Sequence, residues 1–269
     1  MGDRIGSMTQ LQLRSMTPGQ ILAKSFAIYR KRWGTLMAIA GVLVLPYAVL
    51  YPILAESPPT LSINPTVEEL QEVMSAMAPW LVIRLFIISI MLAAVSRTAV
   101  EAYVGMVSPW RSQAAAAISR MVSLAAVSVL FWAAVIAGSA LFVIPGLFAL
   151  VALSACLPAL MVEGAGPLTA LSRSWNITSG RRWNIFGVLL VASVVVVVGE
   201  VAGGLLLATL LVPLQGDFGL WVAYELAWIA TQPFLGVLLG VMYLDLRVRK
   251  EGLDSELLGL QLSATAFDQ

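Results

Sequence analysis

Six apolar runs decide what this chain can fold into: about 34–55, 79–103, 121–143, 146–163, 184–211 and 221–244. A hydrocarbon core of about 30 Å takes about 20 residues of helix to cross. A backbone surrounded by lipid must satisfy its own hydrogen bonds, which leaves helices or closed barrels. Charged residues make up only 12% of the chain and mean hydropathy is +0.90, where soluble domains carry roughly 25% charge. The expected fold is all-α, a polytopic membrane protein with six transmembrane helices arranged as three hairpins, each preceded by a cytoplasmic interfacial amphipathic helix. A single domain spans 17–250, between a flexible tail at 1–16 and a cytoplasmic tail at 251–269. Residues 1–33 hold no apolar run and no small-residue cleavage site follows the first span, so that span is expected to act as its own insertion signal.

Basic residues set the orientation, because short cytoplasmic loops keep Lys and Arg while translocated loops are depleted of them. Arg4, Arg14, Lys24, Arg30, Lys31 and Arg32 precede the first span; Arg111 and Arg120 lie between the second and third; Arg173, Arg181 and Arg182 between the fourth and fifth; Arg247, Arg249 and Lys250 after the sixth. The three opposite connections hold no Lys or Arg, but they hold Glu56, Glu68, Glu69, Glu72 and Asp217. Both termini are therefore expected in the cytoplasm. The third connection turns without an ionisable group at Pro145-Gly146, either as a tight turn at the headgroups or as a re-entrant hairpin.

Several chemistries lack their residues. Histidine is absent, which removes Ser-His and Cys-His nucleophile pairs and most catalytic zinc sites. The single Cys156 lies inside the fourth span, so no intrachain disulfide or CxxC pair forms. No GxGxxG, P-loop, HExxH or nucleic-acid signature appears. No cofactor, catalytic residue or nucleic-acid partner is expected, and the basic patches suit anionic lipid better than DNA.

Three segments on the basic side begin alike. Thr17-Pro18, Ser108-Pro109 and Gly166-Pro167 each place an N-cap-compatible residue before a proline at the first helical position. "LAKSF" at 22–26 matches "LSRSW" at 171–175, and "RKRW" at 30–33 matches "GRRW" at 180–183, while the middle copy, "SPWRSQAAAAISR", is shorter. Leu22, Phe26, Tyr29 and Trp33 form one stripe and Leu168, Leu171 and Trp175 another. Such helices lie flat in an interface. Arg30, Lys31, Arg32, Trp33, Arg173, Trp175, Arg181, Arg182 and Trp183 are the candidate lipid contacts, forming either a belt on anionic phospholipid or a specific substrate site.

With "MTPGQILAKSFAIYRKRWGTL", "EGAGPLTALSRSWNITSGRRWNIFGVLL" and "YLDLRVRKEG", the chain resembles the bacterial glycerophosphoryl diester phosphodiesterase membrane-domain family over roughly 15–255. The resemblance implies a standalone module of the bacterial cytoplasmic membrane. Family members that carry a catalytic phosphodiesterase domain rely in it on histidines and a metal-binding carboxylate cluster. A chain without histidine does not inherit that activity.

Ionisable residues inside lipid are costly and are functional candidates by default. Arg84, Glu200 and Glu225 all fall in the outer half of their spans and are expected in one depth zone, as a charge-paired tie between helices or as the floor of a solute site. Near the inner ends, Arg97 and Glu101 stand at i and i+4 on one helix, and Glu163 and Asp245 are within reach of the inner arginines. Gly199 and Gly203, and Gly236 and Gly240, have the GxxxG spacing of close helix contacts. Pro46, Pro52, Pro158 and Pro233 favour kinks. The outer segment "NPTVEELQEVMSAM" reads as a separate short helix with Asn64 as its cap and Pro65 first in the helix. Three function classes follow: a lipid-interacting scaffold working with a separate enzyme or as a homo-oligomer; a small transporter, though the PxDxxK motif of three-hairpin mitochondrial carriers is missing; and a membrane enzyme using Glu200 and Glu225.

Overall fold

The computed structural model describes residues 15–54 and 65–253, with backbone alone for 212–217. Arg4, Arg14, Glu56, Asn64 and the tails at 1–14 and 254–269 lie outside the described residues, as does the Asp217 side chain. Among the described residues every regular element is a helix. Six helical segments are long and apolar enough to cross a membrane: Trp33–Leu54, Val67–Tyr103, Met121–Leu141, Val143–Glu163, Arg182–Leu211 and Phe218–Glu251.

Local chemistry accounts for most boundaries. Helix α1 (Pro18–Lys31) begins on a capping box: the Thr17 hydroxyl accepts from the Gln20 backbone and the Gln20 side chain accepts from the Thr17 backbone. Helix α2 (Trp33–Leu54) follows after the single residue Arg32. Helix α3 (Val67–Tyr103) begins after Thr66, whose hydroxyl accepts from the Glu69 amide at 3.2 Å, so the cap is Thr66 rather than Asn64, and Pro65 precedes it. The acidic segment and the second span are one continuous helix of 37 residues, not two elements. Its Pro79 is absorbed without a break.

Helix α4 (Trp110–Ser119) takes Pro109 as its cap, with ψ at 148°, so this proline stands one place earlier than the first helical position expected for it. Pro18 and Pro167 do occupy that position, in α1 and in α8 (Pro167–Thr178). Between α5 (Met121–Leu141) and α6 (Val143–Ala152) the chain turns on Phe142, whose backbone is extended at φ −162°. Pro145 and Gly146 instead lie in the first turn of α6, where a missing amide costs no helical bond. Gly146 fits because a Cβ there would come within 2.9 Å of Ser139 N. The fourth span is broken at 153–155, so α6 is followed by α7 (Cys156–Glu163).

Helix α9 (Arg182–Thr231) has 50 residues, and a straight helix of that size would run about 75 Å. It is instead folded on itself. A Cβ at Gly199 would lie 3.2 Å from Thr231, at Gly203 3.5 Å from Ala227, and at Gly204 2.6 Å from Tyr224. This antiparallel register centres the reversal near residue 215, inside the connection expected between the fifth and sixth spans. Helix α10 (Pro233–Glu251) continues from it after Gln232.

Helices α3 and α10 form the most extensive packed pair, and α7 packs on both. Small residues make this possible: a Cβ at Gly240 would stand 2.5 Å from Ser96 O. The three short helices lie at one end of the bundle, here called the collar end. Helix α4 packs on α2 and α3, α8 on α5 and α7, and α1 on α9 and α10. Each therefore sits on the pair of spans that precedes it in sequence, and α1 sits on the last pair. Arg32, Arg120 and Arg181 stand at equivalent junctions with the following span, at φ/ψ −108°/15°, −101°/15° and −129°/11°. The middle copy, shortened in sequence, keeps the same joint.

Candidate functional site

At the end away from the collar, Arg84 and Glu225 meet directly, Nη1 to Oε1 at 2.5 Å. The guanidinium lies over Trp228 at 4.7 Å and over Tyr47 at 5.5 Å. An aromatic cluster ties the same helices together: Tyr51 stacks on Trp221 at 4.6 Å and meets Trp80 edge-on at 5.3 Å, and the Trp221 indole donates to Ala48 O at 3.0 Å. The sequence reading missed this cluster because its members come from three distant segments. Glu200 does not join the pair. The α9 register sets it opposite residue 230, about 7 Å deeper than Glu225 at 1.5 Å per residue, where it meets the Gln232 side chain. Glu200 therefore stands deeper than the pair, within Coulombic range of both Arg84 and Glu225 but not bonded to either.

At the collar end, three acids each fasten one collar helix. Glu101 is paired with Arg97 at 3.1 Å and accepts from Gln113 of α4 at 2.6 Å, with all three side chains buried. Glu163 accepts from Arg173 of α8 at 2.9 and 3.0 Å, from the Tyr243 hydroxyl, and lies 3.5 Å from Arg247. Asp245 accepts from the Met16 amide at 2.6 Å, just before α1, and from Arg249 at 2.8 Å. Three acids at the ends of α3, α7 and α10 thus hold α4, α8 and α1. Helix α8 also repairs a defect. At the break in the fourth span, the Ser174 hydroxyl accepts from Ala155 N at 3.1 Å and donates to Ala152 O at 2.9 Å, and Thr178 donates to the same carbonyl at 3.1 Å. Tyr29, the α1 residue at the place of Thr178, donates to Ala230 O beside the Gln232 break, and burial pushes its phenol above the usual range.

The nine candidate lipid contacts divide accordingly. Arg173 is drawn inward: burial opposes its charge, but Glu163 and Glu251 on either side raise its affinity for the proton further. Glu163 was expected within reach of an inner arginine and Glu251 was not singled out, while Arg173 itself was expected to face lipid. Arg182 lies between two rings, 4.3 Å from Trp175 and 4.5 Å from Phe148, and donates to Trp175 O at 3.3 Å. Arg32 donates to Met106 O at 3.1 Å. Arg30, Lys31, Trp33, Trp175, Arg181 and Trp183 are exposed. In α8 the buried face is Ala170, Ser174 and Ile177, and the expected stripe turns outward, Leu168 and Trp175 exposed and Leu171 half-buried.

A family model described as "Domain of unknown function (DUF7847)" matches residues 35–246. The chain belongs to the DUF7847 family. The match runs from the first turn of α2 to the last turns of α10 and so takes in both α4 and α8 and the three acids that hold the collar. No curated protein and no solved structure matches the chain.

Proposed function

We propose that this chain is a lipid-interacting module of the bacterial cytoplasmic membrane, built of three units, each an amphipathic collar helix followed by a transmembrane hairpin. The collar faces the cytoplasm, both termini lie there, and the outward faces of the collar helices rest in the inner leaflet. One observation carries this: the exposed aromatic residues Phe26, Trp33, Trp175 and Trp183 share one end of the bundle with the exposed cations Arg30, Lys31 and Arg181. Aromatic rings at headgroup depth beside basic residues on phosphates are the usual anchor of an interfacial surface. The module acts beside a separate enzyme or as a homo-oligomer and performs no hydrolysis itself, in line with its lack of histidine and its resemblance to the membrane part of the phosphodiesterase family.

Lipids retained after gentle purification are the test, identified by mass spectrometry at low and high salt. Anionic phospholipids of any headgroup should be enriched over zwitterionic ones. Most of that excess should be lost as salt rises, because surface attraction is screened beyond about 8 Å at physiological ionic strength. Equal retention of zwitterionic and anionic lipid would contradict the proposal. Hydrolysis of a glycerophosphodiester that follows the protein through a final size column would contradict the absence of catalysis.

A transport reading rests on one atom, the buried Oε2 of Glu225, which has no hydrogen-bond partner among the described residues. A polar solute recovered with the purified protein, and lost in Glu225→Gln, would favour it.

A further inference from the structure

The collar cations are not equivalent. Arg173 is held by Glu163 and Glu251, Arg182 by two rings, Arg249 by Asp245 and the Met16 carbonyl, and Lys250 by the Asn176 carbonyl and the Ser179 hydroxyl. Arg181 has no side-chain hydrogen bond, ion pair or ring contact among the described residues, and it borders a cleft. The cleft lies between the start of α1, the start of α9 and the end of α10 and has a volume of about 340 Å³, within the roughly 300–1,000 Å³ of small-molecule sites. One side is polar, with Arg181, Asn184 and the Thr17 region; the other is apolar, with Ile185, Val188 and Met242. Asp245 also lines the cleft, but Arg249 balances its charge and the Met16 amide donates to it, so Arg181 leaves the lining with net positive charge.

The polar and apolar sides are ordered along the axis of the fifth span. Arg181 stands at the junction where the fifth span begins, and Ile185 and Val188 follow one and two turns into that span. An occupant that matches has an anionic head at the interface and a hydrocarbon stem running inward. Resting on the lipid reading above, we propose that this cleft is a discrete site for the phosphate and upper acyl chain of one anionic glycerophospholipid. Arg181 pairs with the phosphate, Asn184 donates to a remaining oxygen, and Ile185, Val188 and Met242 receive the first methylenes. A guanidinium suits this role because its planar donors meet two phosphate oxygens at once. Free phosphate shares the head chemistry but makes no use of the apolar wall.

Native mass spectrometry of the full chain, titrated with phosphatidylglycerol or phosphatidylcholine in detergent at rising salt, separates the outcomes. The wild type should keep one phosphatidylglycerol after the salt-sensitive copies are gone. Arg181→Gln should weaken that copy by about tenfold, the scale of one charge-assisted hydrogen bond. Arg30→Gln, at an exposed collar cation away from the cleft, should reduce only the salt-sensitive copies. Asn184→Trp, which places a bulky ring at the exposed mouth, should also remove the retained copy and checks Arg181→Gln independently of charge. Unchanged retention in both Arg181→Gln and Asn184→Trp would overturn the cleft site and leave the general collar standing. Absence of any preference for phosphatidylglycerol in the wild type would overturn the lipid reading itself. Displacement of the retained copy by millimolar inorganic phosphate would show that the cleft takes free phosphate and overturn a lipid site.

Discussion

Arg84 and Glu225 show how much a single residue type in the wrong solvent reveals. A charge in a lipid-length helix demands a partner, and both residues stood out on that ground alone. What hydropathy did not supply was pairing: the contacts at Gly199 and Gly203 set Glu200 deeper than Glu225 and beside Gln232, within Coulombic range of Arg84 and Glu225 but not bonded to either. Removing one member of the pair leaves the other uncompensated, which costs about 3 kcal/mol at the lower end of the range for buried pairs, since Arg84 is partly exposed. Arg84→Ala should lower the thermal midpoint in detergent, and adding Glu225→Ala should recover part of the loss. Losses that simply sum would deny the coupling. Glu200→Gln should change stability by less than about 1 kcal/mol.

Among elements, α8 is the one whose local sequence least disclosed its role. Its outward stripe was legible as helical periodicity, but Ser174 and Thr178 are ordinary hydroxyls until the break at 153–155 supplies free backbone groups for them. Ser174→Ala should cost about 1–3 kcal/mol because Ala155 N is left without its acceptor. Ser25→Ala, at the equivalent place in α1, should cost less, since that hydroxyl bonds only Ile21 O of its own helix. Thermal unfolding of the two variants side by side decides between a repair of the broken span and generic packing. The α3–α10 contact offers a parallel comparison. Gly240→Ala sets a methyl group 2.5 Å from the Ser96 carbonyl, a backbone atom that cannot step aside, and should destabilise by about 1–3 kcal/mol. Gly187→Ala, with nothing within 4 Å, should be neutral or gain up to about 1 kcal/mol from helix propensity. The GxxxG spacing at Gly236 and Gly240 pointed to this contact; the partner helix was beyond the reach of spacing.

For the molecule as a whole, the six membrane-length helices were plain from apolar run length, because lipid leaves the backbone so few alternatives. Their ends were less plain. Hydropathy stops where polar side chains begin, while helical hydrogen bonding continues, so α3 runs on through the acidic segment 67–78 and α10 through Arg247 and Arg249. The collar's seating was also hidden, because each short helix rests on the spans before it and α1 must reach those at the far end of the chain. The central claim is that this collar lies in the cytoplasm and the acidic start of α3 outside. It is tested most directly by cysteine labelling of intact cells with a membrane-impermeant maleimide, with Cys156→Ala removing the native thiol. Glu68→Cys, at an exposed site at the start of α3, should label from outside; Arg181→Cys should label only after the membrane is opened. Labelling of Arg181→Cys in intact cells would contradict the cytoplasmic collar and every lipid assignment built on it.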